Sequence, residues 1–288
     1  MFLIPPILIK EEDTLAKIND FYRIIKYTKT PLNCILAYAL NRKERIKFRW
    51  GFSGNFDWRS TWFFIALADM GWYLYDRDKN FFKFTDGKLK FAVSSLSKVG
   101  ALIEKPNPYH CFDYRNAVVL DIGAFSGDTL VLFFKWRAKK VIAYEPVAEN
   151  IKLIKLNTQI NKLEDKVTVM PYAVSNRSGY IEFDYDDFGV GFGLKLGKYK
   201  IKLPSISVKE VLSRAEEVDI AKVDCEGYEK HLLEVSDIRI PKWIIEVHHA
   251  HLLPSLVNYF KNKGFDVYAK QHGNVFTIRA ILKRNKTE

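Results

Sequence analysis

Four apolar runs in this sequence end in acids, and carboxylates held at such ends can do chemistry. Val118-Val119-Leu120-Asp121, Val141-Ile142-Ala143-Tyr144-Glu145, Ile220-Ala221-Lys222-Val223-Asp224 and Trp243-Ile244-Ile245-Glu246 each read as a buried strand closing on a carboxylate. Glu145 ends the second strand of a βαβ unit, where an acid binds the hydroxyls of a ribose. Hydrogen bonds to such a charged group are worth roughly 1.5–3 kcal/mol each. Asp224 with Glu226, and Glu246 with His248, add carboxylates and an imidazole at two further strand ends. Such a set can act as a general base or hold a divalent cation. His248 shares a strand face with Glu246, and an ordinary imidazole pKa of ~6.5 suits it to proton transfer near neutrality. His249 and His251 read as surface or supporting residues. Lys222 and Glu246 both sit inside apolar strands, where an unpaired charge is costly, so an ion pair between them is expected.

The elements that must position these groups follow from the pattern around them. Gly123-Ala124-Phe125-Ser126-Gly127 is a tight turn, and a helix pattern begins at about Thr129. Glycine there takes positive φ and admits close approach of a ligand to the backbone. The turn lacks the G-x-G-x-x-G spacing of dinucleotide binders. From Ala117 onward strands alternate with helices, expected at 128–137, 148–161, 207–217 and 252–263, which implies a parallel sheet covered on both faces. Ser207 and Glu210 form a capping box for the third of these, and Gly264 closes the fourth. Residues 265–269 and 275–282 pair through His272-Gly273-Asn274, so the sheet ends in an antiparallel hairpin. The glycine-rich stretch 186–202 reads equally as a lid or a long crossover.

Upstream, helices are expected at 11–27 and 31–42, and Asp86-Gly87 between alternating segments signals a hairpin. The aromatic run from Trp50 to Tyr75 either fills a small core or offers stacking surfaces. Residues 105–109, with two prolines, read as a linker. This divides the chain into an N-terminal α+β extension, 1–110, and a main domain, 111–288.

Composition bounds the function. With 48% hydrophobic and 15% aromatic residues, 288 residues can bury a sizeable core. The net charge of +11 invites an acidic partner such as RNA or anionic lipid, but lysines are spread through most elements and no nucleic-acid motif stands out. Few glutamines beside abundant Lys, Glu and Ile fit a thermophile as well as a nucleic-acid binder. Three scattered cysteines, Cys34, Cys111 and Cys225, point to a reducing cytoplasm. Met1–Ile9 is short, carries Pro5-Pro6 and reads as no signal peptide, and no apolar run approaches the ~20 residues of a membrane span. A homo-oligomer is compatible with all of this.

Asp121-Ile-Gly-Ala-Phe-Ser-Gly-Asp-Thr, Tyr144-Glu-Pro, Asn157 with Asn161, Tyr172-Ala-Val-Ser, Lys222-Val-Asp-Cys-Glu-Gly-Tyr-Glu and Glu246-Val-His together resemble the FkbM-type S-adenosylmethionine-dependent methyltransferases. The resemblance covers roughly 117–268. It implies a Rossmann-like class I sheet, mostly parallel, of seven strands with an antiparallel last strand. It also implies S-adenosylmethionine as methyl donor and a hydroxyl acceptor on a sugar or glycan, a lipid or a small metabolite. Carried over by position, Asp121, Gly123 and Gly127, with Ala124, Phe125 and Ser126, would shape the methionine pocket. Glu145 with Pro146 would hold the ribose, Tyr172 and Ala173 would lie by the adenine, and Asp224 and Glu226 would line the reaction centre with Glu246 and His248. The chain departs from the family pattern at Ser207-Val208-Lys209-Glu210, and nothing before Phe112 matches it. An RNA methyltransferase is the first alternative, although the fourth strand ends in Asp-Cys-Glu-Gly rather than the N-P-P-Y type of motif used on base amines. A non-catalytic cofactor-binding scaffold is the second.

Overall fold

A computed structural model describes residues 11–185, 199–272 and 275–283. Most of the glycine-rich stretch and the 273–274 turn therefore lie outside the described residues, as do Met1–Ile9. The chain forms two compact units: Met1–Lys79 with Lys83–Asp86, and Asn80–Phe82 with Gly87–Glu288. The sequence puts its division at 110/111; the contacts put residues 87–110 with the second unit.

In the first unit, helices Glu11–Tyr27, Pro31–Ala39 and Trp58–Asp69 accompany an antiparallel strand pair, Glu44–Lys47 with Ser53–Phe56. The Asp57 side chain caps the third helix by accepting from Ser60 N at 2.7 Å. Phe48, Phe56, Phe64 and Trp72 are buried, and Phe48 meets Phe64 edge-on at 5.7 Å between ring centroids. The core-filling reading of the aromatic run holds for these four.

The second unit is built on a seven-stranded sheet. Its strands are β1 (Val118–Ile122), β2 (Lys140–Tyr144), β3 (Val167–Met170), β4 (Ile220–Val223), β5 (Lys242–Val247), β6 (Phe265–His272) and β7 (Val275–Leu282). The spatial order is β3-β2-β1-β4-β5-β7-β6. The first five run parallel, and β7 enters antiparallel between β5 and β6. This is the mostly parallel Rossmann-like sheet with a reversed strand that the motifs imply. Every residue of β1 is buried, which is why that run shows no alternation. Each Val, Leu or Ile so buried contributes roughly 1.5–3 kcal/mol. The strand order reverses between β1 and β4, so a crevice opens at their carboxyl ends, where open α/β sheets bind ligands. No helix among the described residues is long and apolar enough to cross a membrane.

Helices Asp128–Lys135, Ala148–Ile160 and Leu253–Asn262 fall where expected. The capping-box helix is shorter, Val208–Ser213, although Ser207 Oγ accepts from Glu210 N as the box requires. A smaller sheet joins Ala173–Ser175, Gly179–Tyr185 and Tyr199–Ser207.

Asn157, on helix Ala148–Ile160, and Asn161, the residue that caps its C-terminus, act together as a surrogate strand edge. Asn157 Oδ1 accepts from Ala92 N at 2.7 Å and its Nδ2 donates to Ala92 O at 3.0 Å. Asn161 does the same for Lys90 N and O, both at 2.7 Å. Strand Lys90–Val93 is thereby fastened to the helix. Asn157→Leu strands the buried backbone groups of Ala92 and is expected to cost about 2–3 kcal/mol by urea denaturation. A loss below about 1 kcal/mol would show that the strand is held by packing alone.

Candidate active site

The turn after β1 is shaped by what lies beneath it. Gly123 has φ +78°, and a Cβ there would stand 1.8 Å from the carbonyl oxygen of Asp224. Glycine alone lets the β1 and β4 tips approach this closely. Phe125 and Gly127 also take positive φ, and Gly127 opens helix Asp128–Lys135. Asp121 is fully buried under the turn: Thr129 Oγ1 donates to it at 2.6 Å, and Lys222 Nζ lies 3.2 Å from its other oxygen. Lys222 Nζ also donates to Gly123 O at 2.6 Å and sits 3.6 Å from Asp224.

That arrangement corrects the expected Lys222–Glu246 pair. In the parallel register Lys222 stands opposite Asp121 on β1 and Ile244 on β5. Glu246 lies two residues farther along β5, and Lys222 takes the nearer acids. Glu246 accepts instead from the Tyr109 hydroxyl at 2.7 Å.

Glu145, at the tip of β2, is buried and held from three sides. Its Oε2 accepts from Phe125 N at 2.9 Å, and its Oε1 from Val147 N at 3.0 Å and Asn150 Nδ2 at 3.1 Å. Oε2 keeps a lone pair that these bonds leave open, the position a ribose hydroxyl needs. Burial pushes the Glu145 carboxyl up to about 7, against the pull of those donors.

A cavity of about 280 Å³ opens at these strand tips. Its lining includes Phe125, Glu145, Pro146, Tyr172 and Ala173. Gly123, Asp224, Glu226 and Glu246 also line it, with Lys222, Glu104 and Tyr109. Asp121, Ala124, Ser126 and Gly127 do not line the space, and neither does His248, whose Nε2 lies within 3.8 Å of the lining acids Asp224, Glu226 and Glu246. Segment 96–104 reaches the cavity because the turn holds it: Ser126 Oγ donates to Lys98 O at 2.7 Å, and Asp128 Oδ2 accepts from Ala101 N at 2.9 Å.

His248 is surrounded by carboxylates. Its Nδ1 is 3.2 Å from Glu229, and its Nε2 is 3.6 Å from Asp224, 3.5 Å from Glu226 and 3.8 Å from Glu246. Burial alone would lower its pKa; the Glu229 hydrogen bond and the charges of Asp224, Glu226 and Glu229 prevail and raise it to about 9. At neutral pH it is an imidazolium that balances the acids around it. Asp224, Glu229 and His248 each present one ligand atom within 4.8 Å of the others, a spacing a divalent cation could share.

Tyr109 and Glu104 were not found by sequence reasoning. Both fall in or beside a proline-marked stretch that carries no periodicity. Asp128, which also lines the cavity, was visible only as the residue after Gly127.

The buried charges set a pH dependence. Burial raises Asp128 to about 6 and Glu226, like Glu145, to about 7. Between the unfolded acid values, ~4, and these folded values, the native state keeps protons that the unfolded chain releases, so stability falls as pH rises. The His248 contribution is complete below ~6.5 and is lost as pH rises through about 9. The ligand-free protein is therefore expected to show a thermal midpoint that declines from about pH 5 to about pH 9. A midpoint rising across that window would contradict these charge states.

The family described as the methyltransferase FkbM domain matches residues 121–267, just over half of the chain. No curated protein matches it in sequence. Among solved structures, an FkbM methyltransferase from Methylobacillus flagellatus KT is similar at 16% identity and a TM-score of 0.41, over 57% of this chain and 43% of that one. A precorrin-6y C5,15-methyltransferase from Geobacter metallireducens GS-15 aligns at 14% identity and a TM-score of 0.39, over 59% and 81%. A ribosomal protein L11 methylase from Lactobacillus delbrueckii subsp. bulgaricus aligns at 13% identity and a TM-score of 0.38, over 59% and 72%. With its motifs on the tips of β1, β2, β4 and β5, the chain belongs to the FkbM methyltransferase family.

Proposed function

We propose that this protein methylates a hydroxyl on a sugar, lipid or other small metabolite, with S-adenosylmethionine as donor. One observation carries the reading: a single cavity runs from Glu145, with an open lone pair among apolar and aromatic walls, to the acids of β4 and β5. The first end fits an adenosine, with Glu145 on the ribose and Tyr172 and Ala173 beside the base. When bound, the cofactor supplies a methyl group already activated on a sulfonium.

The protein's own task is alignment and exclusion of water. Asp224, Glu226 and Glu246 face the space where an acceptor hydroxyl would be held, and one cavity carboxylate receives its proton. His248 serves this end as a charged neighbour, because an imidazolium has no free nitrogen to take a proton.

The test is mass spectrometry of a metabolite extract incubated with the protein and methyl-labelled cofactor. A small product carrying one labelled methyl on oxygen supports the reading. Label in RNA, or on a base amine, would favour the nucleic-acid alternative that the net charge of +11 invites.

A further inference from the structure

We infer that Glu104 is the anionic partner of the positively charged methionyl end of the cofactor, a binding residue supplied from outside the family-matched segment. The inference rests on the S-adenosylmethionine reading and extends it to a residue that no motif contains.

Glu104 closes the short helix Gly100–Ile103 and lines the cavity. Its Oε2 is shielded from solvent and has no hydrogen-bond partner. The other lining acids are engaged. Asp128 accepts from Ala101 N and Thr129 N, and Glu145 from two backbone amides and Asn150. Asp224 lies 3.6 Å from Lys222, Glu226 lies 3.5 Å from His248, and Glu246 takes the Tyr109 hydroxyl. Among the described lining residues, Glu104 is the acid with no such partner. A shielded carboxylate oxygen left this way is costly unless a ligand completes it.

A neutral donor would fill the hydrogen-bond vacancy but leave the repulsion. Burial, then Glu246, Asp128 and Asp224, push Glu104 up to about 7, and only Lys222 among its main neighbours pulls the other way. A cation answers both deficits at once. The cofactor carries two, a sulfonium that joins the methionyl chain to the 5′-carbon of the adenosine and an ammonium at the far end of that chain. With the nucleoside against Glu145, the methionyl chain lies in the same cavity, which Glu104 also lines, and Glu104 is close enough to Glu246, Asp128 and Asp224 to feel their charges.

Isothermal titration of the full chain and of Glu104→Gln tests this with three probes. S-adenosylmethionine carries both cations, S-adenosylhomocysteine only the ammonium, and 5′-methylthioadenosine neither. The expected result is that the variant binds S-adenosylmethionine about 10–100-fold more weakly while 5′-methylthioadenosine changes by less than about twofold. Loss for S-adenosylmethionine alone assigns the sulfonium; equal loss for both charged-end ligands assigns the ammonium. Unchanged affinities, or equal weakening of all three, overturn the inference, and the first of these leaves the cofactor reading standing. If the wild-type chain binds none of the three, both fall together. Glu104→Gln removes a repelled charge and is expected to fold with an unchanged or higher thermal midpoint, and Glu104→Asp, which keeps the charge, is expected to lose less affinity than the amide.

Discussion

Lys222→Met is expected to lower the stability of this protein by about 3–5 kcal/mol, the usual cost of removing one partner from a buried ion pair. Lys222 is almost wholly buried and touches three acceptors: Asp121, Asp224 and the carbonyl of Gly123. Burial alone would lower its pKa, but Asp121 and Asp224 raise it, so the ammonium stays charged at neutral pH. Without it, Asp121 is a fully buried carboxylate supported by Thr129. Urea denaturation measures the loss, and a change below about 1 kcal/mol would mean that the pair is not what holds the turn. The double variant Lys222→Met, Asp121→Asn is expected to recover part of the loss, since it removes the stranded charge as well.

Gly123→Ala is expected to be nearly as damaging and more local. A methyl group at this position would sit 1.8 Å from the Asp224 carbonyl oxygen, with φ at +78°. Backbone strain of this kind costs on the order of 1–3 kcal/mol, and forced displacement of packed atoms costs a similar amount again. The displaced atoms are backbone at the tip of β4, so they cannot swing aside as a side chain would. Cofactor affinity is expected to fall by at least about 100-fold, beyond what lost stability explains, because the β1 and β4 tips must separate. Titration of the folded variant checks this. Wild-type affinity would show that the close approach of the two tips is not required.

The strand tips were legible because apolar runs that end in an acid are uncommon and easily counted. Asp121, Glu145, Asp224 and Glu246 all fall at such ends, and the alternation of strands and helices carried the sheet with them. Register was not legible. Alternation along a strand tells which residues share a face, not which stand opposite one another, so Lys222 was matched to Glu246 instead of Asp121. The charge state of His248 was hidden for a related reason: it depends on Glu229, whose carboxylate returns beneath the turn to meet the ring. Asn157 and Asn161 could be quoted as a pair, but their role needs Lys90 and Ala92, about 70 residues away in sequence. Glu104 and Tyr109 carried no signal, because tertiary hydrogen bonds from Ser126 and Asp128 hold the segment leading to them.

The proposed function turns on whether the hollow at these strand ends holds an adenosyl group through Glu145. Calorimetric titration with S-adenosylmethionine, on wild type and on a Glu145→Ala variant shown to be folded, tests it most directly. One site is expected on the wild-type chain, with at least about tenfold weaker binding by the variant. Absence of binding to wild type, or equal affinity in both proteins, would contradict it.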